Sequence, residues 1–141
     1  MATTRTANAH WEGSLQEGKG RVSLDSSGVG AYDVSWAARA EEPNGVTSPE
    51  ELIAAAHSSC FSMALSGALG KAGHTVESLD TRADVTFQPG QGITGVHLTT
   101  RGSVPGISAE DFVAAAEGAK ANCPVSKALT GTTITLDAAL A

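Results

Sequence analysis

The sequence has little charge and no hydrophobic N-terminal run, and each shortage narrows the classes of protein that fit it. Charged residues make up 17% of the 141 residues and the formal net charge is −6. An acidic chain of this kind disfavours nucleic acid and anionic membrane surfaces as partners. Residues 1–13 lack the apolar core of a secretory signal, so we predict a cytoplasmic location. The chain also lacks repeats and low-complexity segments, and residues 1–141 are predicted to form a single domain.

Metal-ligating residues are also scarce. The chain has two cysteines, Cys60 and Cys123, and the histidines His10, His74 and His97 stand at no ligand spacing from them. We therefore expect neither a metal site nor a cofactor. In a reducing compartment, two cysteines favour reactive thiols over a permanent disulfide.

One stretch, residues 48–73, organises the chain and predicts a long helix with Cys60 at its centre. Ser48 and Glu51 form an S-x-x-E capping box, and Gly73 provides a left-handed stop. The body of the helix is apolar on nearly every face, but a histidine and four serines interrupt it too often for a membrane span. We therefore predict a helix buried on all sides, with the Cys60 thiol in a dry setting.

Alternating and turn-rich segments predict the rest of the fold. Before the helix, an antiparallel meander is predicted from residues 5–11, 21–25 and 31–39. After it come a hairpin of residues 78–88 and 93–104, a helix capped by Ser108, a short helical turn from Pro124 and a strand over 132–140. This order predicts an α+β fold, with two longer helices on one face of largely antiparallel sheet.

The two cysteines are candidates for reactive residues, and the sequence leaves their roles open. Cys60 taken alone fits a packed small hydrophobe as well as a nucleophile. Cys123 precedes Pro124 at the predicted start of a helical turn, where the helix N-terminus and nearby lysines lower a thiol pKa. The two thiols could form a redox pair or a structural disulfide. His57 lies one helical turn before Cys60, so it is either a base for that thiol or a buried, hydrogen-bonded histidine.

Arg39 and Glu50 are two further candidates. Arg39 ends the third predicted strand, where it is either solvated or positioned to stabilise a thiolate or bind an oxyanion. Glu50 lies in the first turn of the long helix, where it complements the helix dipole. Sequence physics alone does not choose between these roles.

Five motifs together resemble one family along essentially the whole chain. They are AHWEG (9–13), GKG (18–20), PEELIAAAHSSCFSMALS (49–66), VPGI (104–107) and AKANCPVSKAL (119–129). In this order they are similar to the osmotically inducible protein C (OsmC) family, which is related to the organic hydroperoxide resistance (Ohr) proteins. The AHWEG motif favours the OsmC branch.

The resemblance implies a cofactor-independent thiol peroxidase that reduces organic hydroperoxides. It assigns the attack to Cys60, which becomes a sulfenic acid, and resolution to Cys123, which closes an intramolecular disulfide. By position it assigns assisting roles to Arg39 and Glu50. It further implies an OsmC-like, intertwined homodimer with active sites at the subunit interface, regenerated by a dithiol such as the lipoyl-type reductants of the related branch. The apolar residues around Cys60 favour alkyl hydroperoxides over hydrogen peroxide.

Helix geometry adds a prediction about the dimer. Glu50 and Cys60 lie ten residues apart on one predicted helix, or about 15 Å, which a glutamate side chain does not span. We therefore predict a two-fold pair of helices in which Glu50 of one chain serves Cys60 of the other. The rival interpretation is a non-enzymatic dimer that senses redox state or binds a small molecule. Helix-terminus effects alone make Cys123 the more acidic thiol, so the choice of Cys60 as attacker depends on the resemblance.

Overall fold

The computed structural model describes residues 1–141 and divides them into two compact units, residues 1–52 and 53–141. The chain forms two three-stranded sheets and a long helix, so the predicted α+β class is confirmed. The single domain remains a prediction.

The first unit contains the predicted meander. Its strands are β1 (Asn8–Glu12), β2 (Lys19–Ser23) and β3 (Ala31–Val34). They pair antiparallel in the order β1-β2-β3, as the alternation and the turn signals between them indicate.

The third strand ends earlier than predicted. The Ser35 hydroxyl accepts a hydrogen bond from the N–H of Ala38 at 3.1 Å and caps a short helix, α1 (Trp36–Ala40). The prediction of a strand through residue 39 was wrong, because a capping serine followed by an alanine-rich segment favours a helix. Arg39 therefore lies in the last turn of a helix and not at the end of a strand.

The longest helix, α2 (Pro49–Lys71), begins and ends close to the predicted residues. The Ser48 hydroxyl accepts a hydrogen bond from the N–H of Glu51 at 3.2 Å. The Glu51 carboxylate accepts a hydrogen bond from the Thr47 hydroxyl. This side-chain pair replaces the second bond of the predicted capping box, in which the Glu51 side chain would accept from the backbone N–H of Ser48. At the other end Gly73 takes the left-handed conformation with φ 89° and ends the helix in a Schellman motif.

The second unit contains a mixed sheet. The strands β4 (Ser78–Gln88) and β5 (Gly92–Ser103) form the predicted antiparallel hairpin. The last strand, β6 (Thr133–Leu140), pairs with β5 in parallel, because the chain crosses over through two helices before it returns to the sheet.

Those two helices meet at Cys123. The first is α3 (Ala109–Asn122), whose predicted cap, Ser108, accepts a hydrogen bond from the N–H of Asp111 at 3.1 Å. The second is α4 (Pro124–Ala128), the predicted short turn. Cys123 is both the C-cap of α3 and the N-cap of α4.

The core of the second unit lies between α2, α3 and the sheet. One face of α2 is buried at four-residue spacing, with His57, Phe61, Leu65 and Leu69 each at most 1% exposed. These side chains pack with buried residues of β5 and α3, which are Val96, Leu98, Phe112 and Ala116. This spacing is that of a helix with a single buried stripe.

The opposite face of α2 is open in the single chain, which corrects the prediction of a helix buried on all sides. Its exposed residues are small or apolar: Ala55, Ala56, Ser59, Met63, Ser66 and Gly67. Met63 is 74% exposed. By length and a mean hydropathy of 1.4, α2 is also the one helix that could cross a membrane, but core helices of soluble proteins share these properties, and its other face lies in the core.

We expect Gly102→Ala to destabilise the second unit. A Cβ at Gly102 would lie 2.7 Å from two ring atoms of Phe112 and 3.0 Å from Leu79, and Phe112 is fully buried. Overpacking of this kind lowers the free energy of unfolding by about 1–3 kcal/mol, measurable by chemical denaturation. The control, Gly118→Ala in α3, meets nothing within 4 Å and should be neutral or stabilising. Equal stability of the two variants would contradict the packing argument.

Candidate active site

The structure brings the two predicted cysteines together. Cys60 lies in the middle of α2 and is half-buried, whereas Cys123 at the junction of α3 and α4 is fully buried. Both are free thiols. Cys60 packs against the core cluster that contains Cys123, and each thiol shifts the pKa of the other. Two neighbouring reduced thiols can give up two electrons and close a disulfide.

The environment of Cys123 favours its thiolate. Burial alone would raise the pKa of Cys123, but polar groups near its sulfur together lower that pKa below its ordinary value. These groups are the Cys60 thiol, the backbone N–H groups of Ser126 and Val125, and the Ser126 hydroxyl. Cys123 makes no side-chain capping hydrogen bond, so the N–H groups act through their position at the start of α4.

The environment of Cys60 has the opposite effect. Burial raises the pKa of Cys60, and the neighbouring Cys123 thiol raises it further, against a smaller lowering by the Val125 N–H. The negative charge of the reduced pair is therefore favoured on Cys123. A thiolate on Cys60 needs an additional cation beside it.

Arg39 and Glu50 form a second pair, within the first unit. Arg39 Nε donates to Glu50 Oε1 at 2.7 Å, which joins the last turn of α1 to the first turn of α2. The Glu50 side chain is 8% exposed, and its other oxygen, Oε2, has no hydrogen-bond partner. Arg39 is thus held by a charge-assisted bond, which excludes the interpretation of a solvated strand-end arginine.

His57 contacts a residue that the sequence analysis missed. Its Nε2 lies 2.7 Å from the hydroxyl of Ser126 in α4, and its Nδ1 has no hydrogen-bond partner. Burial lowers the pKa of His57. His57 is therefore bonded through one nitrogen to Ser126. The signal that could have identified Ser126 is its position three residues after Cys123, one turn into the helical segment that Cys123 begins.

A metal-binding cluster is not formed by these side chains. No group of three or more His, Cys, Asp and Glu residues is arranged to hold a metal ion. The chemistry that the arrangement itself offers is that of a dithiol with unequal acidity and unequal access to solvent.

Comparison with known proteins gives the family. The family described as OsmC-like protein matches residues 42–137. The chain is 46% identical over 140 residues to Peroxiredoxin OsmC of Escherichia coli (strain K12) and to that of Shigella flexneri, with 97% of this chain and 96% of each relative covered.

Solved structures share the fold. An organic hydroperoxide resistance protein OsmC from Legionella pneumophila matches with a TM-score of 0.75 at 23% identity, with 99% of this chain and 98% of that chain covered. An organic hydroperoxide resistance protein from Elizabethkingia anophelis matches with a TM-score of 0.74 at 26% identity over 100% of both chains. The resemblance expected from the five motifs is confirmed, and the chain belongs to the OsmC-like protein family.

Proposed function

We propose that this protein is a thiol peroxidase that reduces organic hydroperoxides, with Cys60 as the attacking thiol and Cys123 as the resolving thiol. The observation that carries the proposal is the proximity of two free cysteines, Cys60 and Cys123, which lie on different helices and pack in one core. The peroxidase class is supported by 46% identity to Peroxiredoxin OsmC along nearly the whole chain.

The proposed cycle has three steps. The Cys60 thiolate attacks one peroxide oxygen, the O–O bond breaks, an alcohol leaves and Cys60 becomes a sulfenic acid. Cys123 then attacks the Cys60 sulfur, the S–O bond breaks, water leaves and a disulfide forms. A dithiol reductant, of the lipoyl type that the resemblance implies, restores both thiols and is itself oxidised.

Access supports Cys60 as the attacker. The electrostatics of the reduced pair favour a thiolate on Cys123, yet Cys123 is 0% exposed and Cys60 is only half-buried. Reaction with an external peroxide requires both a thiolate and an open path. A buried, acidic thiol suits the second step instead, because its target is the neighbouring sulfur.

The cation that Cys60 needs is proposed to come from the Arg39–Glu50 pair of the partner subunit. A helix places Glu50 and Cys60 about 15 Å apart along α2, beyond the reach of a glutamate side chain. A two-fold homodimer would solve this by placing one chain's ion pair at the other chain's thiols. The open apolar face of α2, with Met63 74% exposed, supports such a partner, because exposed apolar patches mark interaction surfaces.

An exposed apolar side chain near Cys60 supports the preference for organic hydroperoxides. It is Met63, three residues after Cys60 on α2 and 74% exposed, whereas the adjacent Phe61 is fully buried in the core. An alkyl group gains free energy by burial against such residues, roughly 25 cal/mol per Å² of apolar surface, and hydrogen peroxide has no such group.

The first prediction concerns turnover. With excess dithiol, the protein is expected to consume many equivalents of tert-butyl hydroperoxide and to reduce hydrogen peroxide more slowly. Cys60→Ser should be inactive, and Cys123→Ser should reduce one equivalent and accumulate a sulfenic acid, measured by mass spectrometry. Consumption of one equivalent by the unmodified protein would favour a redox sensor. Normal turnover in Cys60→Ser would reverse the assignment of the thiols.

The second prediction concerns Arg39. Without its cation the Cys60 pKa is expected to rise, so Arg39→Ala should slow the first oxidation at neutral pH by at least about tenfold, or ~1.4 kcal/mol. Stopped-flow mixing with one equivalent of hydroperoxide measures this rate, and thiol titration follows the pKa. Arg82→Ala is the control, because Arg82 belongs to an exposed ion pair with Asp84. The electrostatic role is rejected by an unchanged Cys60 pKa in Arg39→Ala.

The third prediction concerns sharing of the site. Inactive Cys60→Ser mixed with inactive Glu50→Ala under subunit exchange should form heterodimers with one complete site, restoring about a quarter of the unmodified activity for random exchange. Cys60→Ser mixed with Cys123→Ser is the control. It should stay inactive, because both thiols come from one chain. If exchange is confirmed and the first mixture stays inactive, the site is not shared in this way.

A further inference from the structure

We infer that His57 serves the resolving cysteine through Ser126, accepting the Cys123 proton as Cys123 attacks the Cys60 sulfenic acid. Ser126 lies beside the reacting cysteine, in the first turn of α4, and His57 is a positioning residue behind it. This inference rests on the proposed function and adds to it a route for the proton of the second step.

One hydrogen bond joins α2 to α4 beside Cys123. His57 Nε2 lies 2.7 Å from Ser126 Oγ. Ser126 is three residues after Cys123, in the first turn of α4, and its hydroxyl lowers the pKa of Cys123. All three residues are buried, with 0% of His57, 4% of Ser126 and 0% of Cys123 exposed. Water is therefore excluded from most of the path, and the hydroxyl is the group that joins the thiol to the imidazole.

A purely structural role explains the histidine poorly. His57 occupies a position in the buried stripe of α2, where the next members are Phe61 and Leu65. An apolar side chain would fill that position without a polar cost. The imidazole instead leaves Nδ1 buried with no hydrogen-bond partner, and an unmet polar group of this kind costs about 1–3 kcal/mol. A group kept at such a cost is a candidate for function.

The proton transfer balances within the resolving step. While Cys123 is protonated, its S–H donates to Ser126 Oγ and the Ser126 O–H donates to His57 Nε2. Once the proton has moved, the Ser126 O–H donates to the Cys123 sulfur and the protonated His57 donates to Ser126 Oγ. As the S–S bond forms, one proton passes from sulfur to the serine and another from the serine to the imidazole. The S–O bond of the sulfenic acid breaks, and the leaving hydroxide takes a proton back through Ser126 and departs as water. The Cys60 sulfur is reduced and the Cys123 sulfur is oxidised.

No charged neighbour shifts the pKa of His57, for which burial is the one cause. On the neighbouring helices, Lys120 of α3 is paired with Glu117 at 3.3 Å, and Lys127 of α4 is exposed. The sheet presents uncharged groups to α2: Thr81 bonds to Ser62 at 2.8 Å and to Thr100 at 3.0 Å. On α2 itself the carboxylates are confined to the first turn, at Glu50 and Glu51.

The sign of the pH dependence follows from burial. Burial lowers the pKa of His57 from its ordinary value of 6.5, so at neutral pH the imidazole is uncharged and can accept a proton. On acidification through that lowered pKa it becomes protonated and the path is blocked. Resolution should therefore slow in acid, with a midpoint below pH 6.5.

A single-turnover experiment tests the inference. Reduced protein is mixed with one equivalent of tert-butyl hydroperoxide, and formation and loss of the Cys60 sulfenic acid are followed by quenching with a sulfenic-acid trap. Ser126→Ala and His57→Gln are expected to slow the loss at least tenfold, within the range of general acid–base catalysis. Ser62→Ala is the matched control, because it removes a serine hydroxyl elsewhere in the core, on α2, where it bonds to Thr81 at 2.8 Å. The resolution rate of Ser62→Ala should match that of the unmodified protein.

Two readouts separate proton transfer from packing. In a Cys60→Ser background, Ser126→Ala should raise the Cys123 pKa. In the otherwise unmodified protein, the resolution rate should show the acid limb below pH 6.5, and His57→Gln should lack it. Because protonation of Cys123 would also slow resolution in acid, the Cys123 pKa is titrated separately in the Cys60→Ser background. An acid limb of the unmodified protein that coincides with that Cys123 pKa overturns the relay, even if a His57 variant does not fold.

Two further outcomes overturn the relay. One is resolution at the unmodified rate in Ser126→Ala. The other is slower resolution with the Cys123 pKa and the pH profile unchanged, which marks a packing defect. If no sulfenic acid forms on Cys60 even in the unmodified protein, the proposed function itself fails.

Discussion

The proximity of Cys60 and Cys123 depends on one backbone constraint, the proline that follows Cys123. Pro124 cannot continue α3, because its ring clashes with the preceding turn and it lacks an N–H. It is well suited to begin α4. Cys123 is thereby fixed between two helices as the cap of both. That position directs the first N–H groups of α4 toward its sulfur, and the same turn presents Ser126 to α2.

The two thiols divide acidity and access between them. The acidified sulfur, Cys123, is the one that solvent does not reach, whereas the accessible sulfur, Cys60, has its pKa raised by burial and by its neighbour. For a two-step reaction this division is useful, because the second attack needs a thiolate directed only at the neighbouring sulfur. The thiol pair alone does not account for the first attack, because a thiol with a raised pKa is a poor nucleophile at neutral pH.

Sequence patterns predicted the elements whose ends are set locally. Capping residues such as Ser48, Ser108 and Gly73 predicted where helices begin or end. Strict alternation predicted both end residues of β4 correctly. The end of β3 was missed because the Ser35 cap competes with an alternating pattern that continues past it. The parallel pairing of β6 and the proximity of the thiols were inaccessible to periodicity, because both depend on how distant segments pack. The resemblance supplied the pairing of the cysteines, and nothing in the spacing supplied the bond between His57 and Ser126.

The central helix is covered on one side only in the single chain. A helix with no polar stripe needs cover on both sides, and the sheet with α3 covers one of them. The remaining face carries small residues around Met63, which allow another helix to approach closely. The half-buried Arg39–Glu50 ion pair of the first unit also leaves one buried oxygen, Glu50 Oε2, without a hydrogen-bond partner, although buried carboxylates are normally satisfied. Three features are incomplete in the single chain: an open apolar helix face, a buried carboxylate oxygen without a partner, and a thiol without a cation. A second copy of the chain could complete all three through one two-fold interface.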